Sequence, residues 1–118
     1  MQIKERTIDG VVILDVSGKI LIGEAELQLK RKLTQLLEHG RLRIIINLGE
    51  VPYMDSSGLG AIVRCYSAVR KAGGELKLIN LTQRMLDLLT ITKLTTLFDT
   101  YDTEEEALKS FSAPVPNP

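Results

Sequence analysis

The residues best suited to chemistry are Asp55-Ser56-Ser57-Gly58. They follow an apolar run, Arg43-Ile44-Ile45-Ile46-Asn47-Leu48, and precede Leu59, Ile62, Val63, Tyr66 and Val69 at helical spacing. A strand that turns into a helix through an acid, two hydroxyls and a glycine places those hydroxyls at an exposed helix N-terminus. Unpaired N–H groups and the helix dipole make such a terminus a place to hold, gain or lose a phosphate. Helix capping accounts for part of the motif, since Asp and Ser are preferred N-caps worth ~0.5–2 kcal/mol over alanine. With Asp55 as the N-cap, Met54 and Leu59 fall at hydrophobic-staple spacing. Ser56 is then the first helical residue, and its hydroxyl is not needed for the cap. Gly58 and Gly60 carry no side-chain bulk, so they are expected to let a second protein approach closely. A cap requires one polar side chain, and three followed by a glycine exceed that need.

Other chemistries lack a required companion. A serine nucleophile needs a base within hydrogen-bond reach. The one histidine, His39, ends the first expected helix, where a cation suits the dipole, and no Gly-x-Ser-x-Gly elbow surrounds the serines. One histidine and one cysteine, far apart, do not form a transition-metal site, so no metal is expected. Neither Gly-x-x-x-x-Gly-Lys-[Ser/Thr] nor Gly-x-Gly-x-x-Gly occurs, and Gly58-Leu59-Gly60 alone is no nucleotide cradle. No cofactor is expected. Cys65, with Ala61, Ile62, Ala68 and Val69 at helical spacing, reads as a small packed hydrophobe.

The elements that must position the motif follow from periodicity and turn residues. Residues 3–8 and 11–17 read as a hairpin, because Asp9-Gly10 favours a type I′ turn. Val12, Leu14 and Val16 share one face of the second strand, and Val11 and Ile13 make the other face apolar too, which predicts a central strand. Lys19-Ile20-Leu21-Ile22 reads equally as an extended connection or as the approach to a helix. Leu29, Leu33, Leu36 and Leu37 then mark one helical face, closed by Gly40. The β-branched run over 42–48 predicts a strand buried on both faces. Gly73-Gly74 stops the helix after the motif, and 75–80 is the next strand. Thr82 caps a third helix with a buried face of Met85, Leu88 and Leu89, and Leu81 and Leu86 stand at staple spacing. Residues 97–101 read as a short last strand. Thr103-Glu104-Glu105-Glu106 matches a capping box, with acids where the dipole favours them. The predicted fold class is α/β: one domain over 1–112, a mixed sheet of about five strands against about four helices. The Pro-rich tail, 113–118, is expected to be disordered.

With 118 residues the chain suits one domain. Fifteen basic and fifteen acidic residues cancel, so no net field recruits nucleic acid or an anionic membrane. A single cysteine forbids an intramolecular disulfide. Apolar runs fall far short of the ~20 residues that cross a bilayer, and the N-terminus lacks a signal-peptide core. A cytoplasmic protein is expected.

Around the motif, the chain resembles a STAS domain of the anti-sigma factor antagonist family. The matching residues are Ile46-Asn47-Leu48, Val51-Pro52-Tyr53-Met54-Asp55-Ser56-Ser57-Gly58-Leu59-Gly60 and Gly73-Gly74-Glu75-Leu76, with Leu86-Asp87-Leu88-Leu89 and Leu94-Thr95-Thr96-Leu97-Phe98 further on. The resemblance spans roughly residues 3–111. It implies a non-enzymatic partner-switching protein that binds an anti-sigma factor with serine kinase activity and so regulates sigma-factor-dependent transcription. The kinase would phosphorylate Ser56 and a phosphatase would reverse this, with Asp55, Ser56, Ser57 and Gly58 as the partner-binding residues. The chain departs from the family after Gly18. Where many members carry Gly-Glu-Leu-Asp, it has Gly18-Lys19-Ile20-Leu21, so Lys19 and Leu21 replace two acids implicated in partner and nucleotide contacts. The alternatives are a STAS scaffold or transporter-associated subunit without phosphorylation, and a serine or nucleotide hydrolase.

Overall fold

The computed structural model describes residues 1–20 and 23–112. The expectations for Leu21, Ile22 and the 113–118 tail lie outside those residues. The elements run β1 (Gln2–Ile8), β2 (Val11–Ser17), α1 (Glu24–Glu38), β3 (Arg43–Glu50), α2 (Ser56–Lys71), β4 (Glu75–Ile79), α3 (Gln83–Ile91), β5 (Asp99–Tyr101) and α4 (Glu104–Ser112). The sheet has the order β1-β2-β3-β4-β5. β1 pairs antiparallel with β2, and every later pairing is parallel. Asp9 and Gly10 both hold positive φ, 51° and 78°, as a type I′ hairpin requires.

Each strand from β2 onward pairs with the one that follows it, so every crossover steps the same way. Crossovers of one hand then put their helices on one face of the sheet. That face carries the main core: Val12, Leu14 and Val16 of β2 and Ile44, Ile46 and Leu48 of β3. It packs against Leu29 and Leu33 of α1, Ile62 and Val69 of α2, and Met85 and Leu89 of α3. α4 follows the last strand and is no crossover, which leaves it free to fold over the opposite face. There Ala107 seals Val11, Ile13, Ile45 and Ile79, with Leu108 and Phe111 packed alongside. This second layer is why the β3 run is apolar without alternation: Ile44, Ile45 and Ile46 are each fully buried.

Polar contacts hold α4 on its face. Arg6 reaches Asp15 and Glu104, each at 2.5 Å, and Thr103 Oγ1 accepts the Glu106 N–H at 3.2 Å. Lys77, the buried charged residue of the sheet, donates to Ser110 Oγ at 2.5 Å and lies 4.4 Å from the Phe111 ring. Asp15 also accepts from Asn47 Nδ2 at 2.9 Å, and Asn80 Nδ2 donates to Asn47 Oδ1 at 2.9 Å, so a polar row crosses the strand ends.

The hydrogen bonds from Arg6, then that from Asn47, hold the Asp15 carboxyl below its usual range against the opposing effect of burial. A lowered folded-state value means the stabilisation is present above the unfolded carboxylate range, ~3.9, and is lost as pH falls through the folded value. Asp15→Asn is therefore expected to lose about 1 kcal/mol at neutral pH. Urea midpoints should show its deficit shrinking as pH drops below about 4. A deficit that holds steady into acid would assign the loss to geometry instead of charge.

Two expectations are corrected. The 97–101 strand is only Asp99–Tyr101. Phe98 instead enters the core and meets the Tyr66 ring edge-on at 5.3 Å. The Leu81–Leu86 staple gives way because Leu86 is exposed, while Met85 and Leu89 take the buried face of α3.

Candidate functional site

The site lies where β3 ends and α2 begins. β3 stops after Glu50, and Val51 N–H bonds back to the Leu48 carbonyl at 3.1 Å. Asp55 then sits in extended backbone, with φ −89° and ψ −179°, as the N-cap of α2. Its Oδ1 accepts the Gly58 N–H at 2.7 Å, and its carbonyl accepts the Leu59 N–H at 2.9 Å. Met54 and Leu59 both enter the main core, so the staple frame holds. Ser56 is the first residue of α2 and is exposed, whereas Asp55 and Ser57 are half-buried. The Ser56 hydroxyl has no hydrogen-bond partner among the described residues.

Gly58 does not face an incoming partner. It is buried, and a Cβ built on it would stand 2.1 Å from the Ile20 carbonyl oxygen and 3.0 Å from Met54 Cγ. The expectation that Gly58 opens an approach from solvent is corrected: the glycine admits the chain's own backbone. Ile20 forms a parallel bridge with Met54, and its N–H donates to the Tyr53 carbonyl at 3.0 Å. The described part of the 19–22 stretch is thus extended connection, and it presses against the first turn of α2. Exposed Lys19 immediately precedes Ile20 in this segment. Gly60 is the open glycine, where a Cβ would meet only the Arg64 guanidinium, 3.5 Å away.

The remaining candidates lie elsewhere. His39 caps the C-terminal end of α1, its Nδ1 2.8 Å from the Gln35 carbonyl. It precedes β3 whereas Ser56 follows it, so an eight-residue strand, about 25 Å long, separates the two. Cys65 is buried between α1 and α2, and burial pushes its thiol up to about 11, which leaves little thiolate for reaction. Among the described residues no cluster of His, Cys, Asp and Glu is placed to hold a metal. No helix among them is long and apolar enough to cross a membrane.

Spacing gave no reason to associate Arg84 with the motif. Because β4 lies next to β3, the start of α3 returns beside the start of α2. Arg84 and Ser56 line one groove there, together with Tyr53 and Met85.

A family model for the STAS domain matches residues 2–107. The anti-sigma-B factor antagonist of Bacillus subtilis is 41% identical over 87 residues, covering 73% of this chain and 77% of that protein. The chain belongs to the STAS domain family, among the anti-sigma factor antagonists. Its fold is likewise that of solved anti-sigma factor antagonists. TM1081 of Thermotoga maritima superposes with a TM-score of 0.84 at 29% identity, over 92% of each chain. The Bacillus cell fate determinant SpoIIAA, in its phosphorylated form, gives 0.72 at 22% identity, over 93% of this chain and 99% of that one. The second likeness carries the fold alone.

Proposed function

We propose that this STAS domain is an anti-sigma factor antagonist. It binds an anti-sigma factor with serine kinase activity and so frees a sigma factor for transcription in the cytoplasm. Phosphorylation of Ser56 inactivates it, and a phosphatase restores it. The chain is the binding module in this scheme, and the partner kinase supplies the catalysis.

The observation that supports this reading is the division of roles between neighbours. Asp55 carries the helix cap through its bond to the Gly58 N–H, which leaves the Ser56 hydroxyl exposed at the first position of α2. A phosphoryl group there adds about −1.5 to −2 charge beside free helix N–H groups that tolerate it. Ser56 is the phospho-acceptor, while Asp55 and Ser57 form the adjoining partner surface. Gly58 acts from beneath, by letting the Ile20 segment support that surface.

The test is capture on immobilised wild-type and Ser56→Asp protein, read by mass spectrometry, with the captured proteins then given ATP and the wild-type chain. An ATP-binding serine kinase is expected on wild type, absent from Ser56→Asp, and its phosphopeptide should map to Ser56. The same partners on both proteins, with no label on Ser56, would favour a scaffold instead.

A further inference from the structure

The groove beside Ser56 has a volume of about 390 Å³ and opens between the 52–56 segment and the first turns of α3. Its floor includes apolar Met85 and Leu88, and Tyr53 stands at one wall. The Thr82 hydroxyl is already occupied, accepting the Met85 N–H at 3.3 Å as the cap of α3.

Arg84 is the one cation in this lining, and it is exposed. No carboxylate pairs with it among the described residues. Arg6 is held by Asp15 and Glu104, Arg41 by Thr7 and Arg64 by Glu26, whereas Arg31, Arg43 and Arg70 are, like Arg84, unpaired among the described residues; what sets Arg84 apart is its place in the groove beside Ser56. Asp87, one turn along α3, and Asp55 of the lining keep their charge but make their hydrogen bonds with other groups. Asp87 accepts from Gln83 Nε2 at 2.9 Å, and Asp55 accepts the Gly58 N–H. The lining of the groove therefore includes both an unpaired guanidinium and an unpaired hydroxyl.

We propose that Arg84 reads the modified state of Ser56: its guanidinium takes the phosphoryl oxygens on phosphorylated Ser56 and bridges the groove. The proposal rests on the reading of Ser56 as phospho-acceptor. A planar guanidinium fork matches two phosphoryl oxygens at once, which an ammonium does not. The bridge joins the start of α2 to the first turn of α3 and covers the apolar floor of Met85 and Leu88. Phosphorylation then acts twice: it adds charge where the partner docks, and it closes the groove the partner would enter. No bond within the chain forms or breaks in this second step. The charged groups lining the groove are Asp55 at the N-cap of α2 and Arg84 on α3, with Asp87 one turn further along α3 and Lys19 next to Ile20 in the chain.

The test uses full chain carrying phosphoserine at position 56 installed during translation, so that no kinase is required. Phosphorus NMR then follows the second ionisation of the phosphate, ordinarily near ~6. In otherwise wild-type protein the midpoint is expected below that value. Arg84→Ala should raise it by about half a pH unit or more, and Arg84→Lys should recover only part of the difference. Lys19→Gln reports the general field and should shift it less than Arg84→Ala. An unchanged midpoint in Arg84→Ala overturns the proposal, as does an equal shift in Lys19→Gln. Thermal melting of unmodified Arg84→Ala should match wild type, since Arg84 is exposed. A phosphorylated protein that still holds its partner would overturn the functional reading while leaving this titration to decide the role of Arg84.

Discussion

Gly58→Ala is expected to destabilise the chain by about 3 kcal/mol, although helix propensity alone favours alanine by ~1 kcal/mol. The sign is decided by space. The new Cβ would lie 2.1 Å from the Ile20 carbonyl oxygen, far inside contact distance, and 3.0 Å from Met54 Cγ. The oxygen belongs to backbone that cannot step aside alone, because Ile20 bridges Met54 and its N–H bonds to Tyr53. The first turn of α2 must move instead, and with it the Asp55 cap. Gly60→Ala is the matched control two residues later in the same helix. Its nearest neighbour is the flexible end of Arg64, so it should gain up to about 1 kcal/mol. Circular dichroism melts should fall by roughly 10 °C or more for Gly58→Ala and rise by a few degrees for Gly60→Ala. Equal midpoints for the two would refute the close-packing role of Gly58. Partner affinity should also fall in Gly58→Ala, through displacement of Ser56, although Gly58 itself is buried.

The contrast between these glycines shows what the sequence made legible. Local signals were sufficient for the hairpin, because Asp9-Gly10 names its own turn, and for the Asp55 cap, because cap and staple lie within a few residues. The unbroken Ile44-Ile45-Ile46 run announced burial on both faces, and α4 supplies the second cover. The role of Gly58 was not legible, since the atom that excludes a side chain belongs to Ile20, remote in sequence and in a stretch with no periodicity. The same limit hid Arg84, which reaches the motif only through the adjacency of β3 and β4. Phe98 shows a different failure. Its apolar run with Leu97 read as the start of a strand, but Phe98 packs edge-on against Tyr66 before the strand begins, and that burial needs no strand pairing. The link from Arg6 to Asp15 and Glu104 joins three elements across the whole chain, and charge counting cannot see it.

Ser56→Asp is expected to leave the melting midpoint within a few degrees of wild type while reducing partner affinity by about 100-fold or more, roughly 2.7 kcal/mol. The two effects separate because they arise in different places. In the free protein the new carboxylate is exposed at the first position of α2, where the dipole stabilises it by about 0.3–1 kcal/mol. Repulsion from Asp55 opposes that gain, and Arg84, in the same groove lining, offsets the repulsion. In the complex the same charge is desolvated, and an unpaired buried charge costs several kcal/mol. Ser57→Ala is the control. Ser57 is half-buried and outside the cap bond, so its loss should weaken binding much less than the added charge does. Calorimetric titration against the captured kinase, beside melts of each variant, separates folding from docking. An Ser56→Asp protein that melts early would mean that Ser56 supports the helix, returning it to the role assigned here to Asp55. One that melts normally and binds normally would mean the interface lies away from the start of α2. Only stability kept and affinity lost fits a serine that the fold does not need and the partner does.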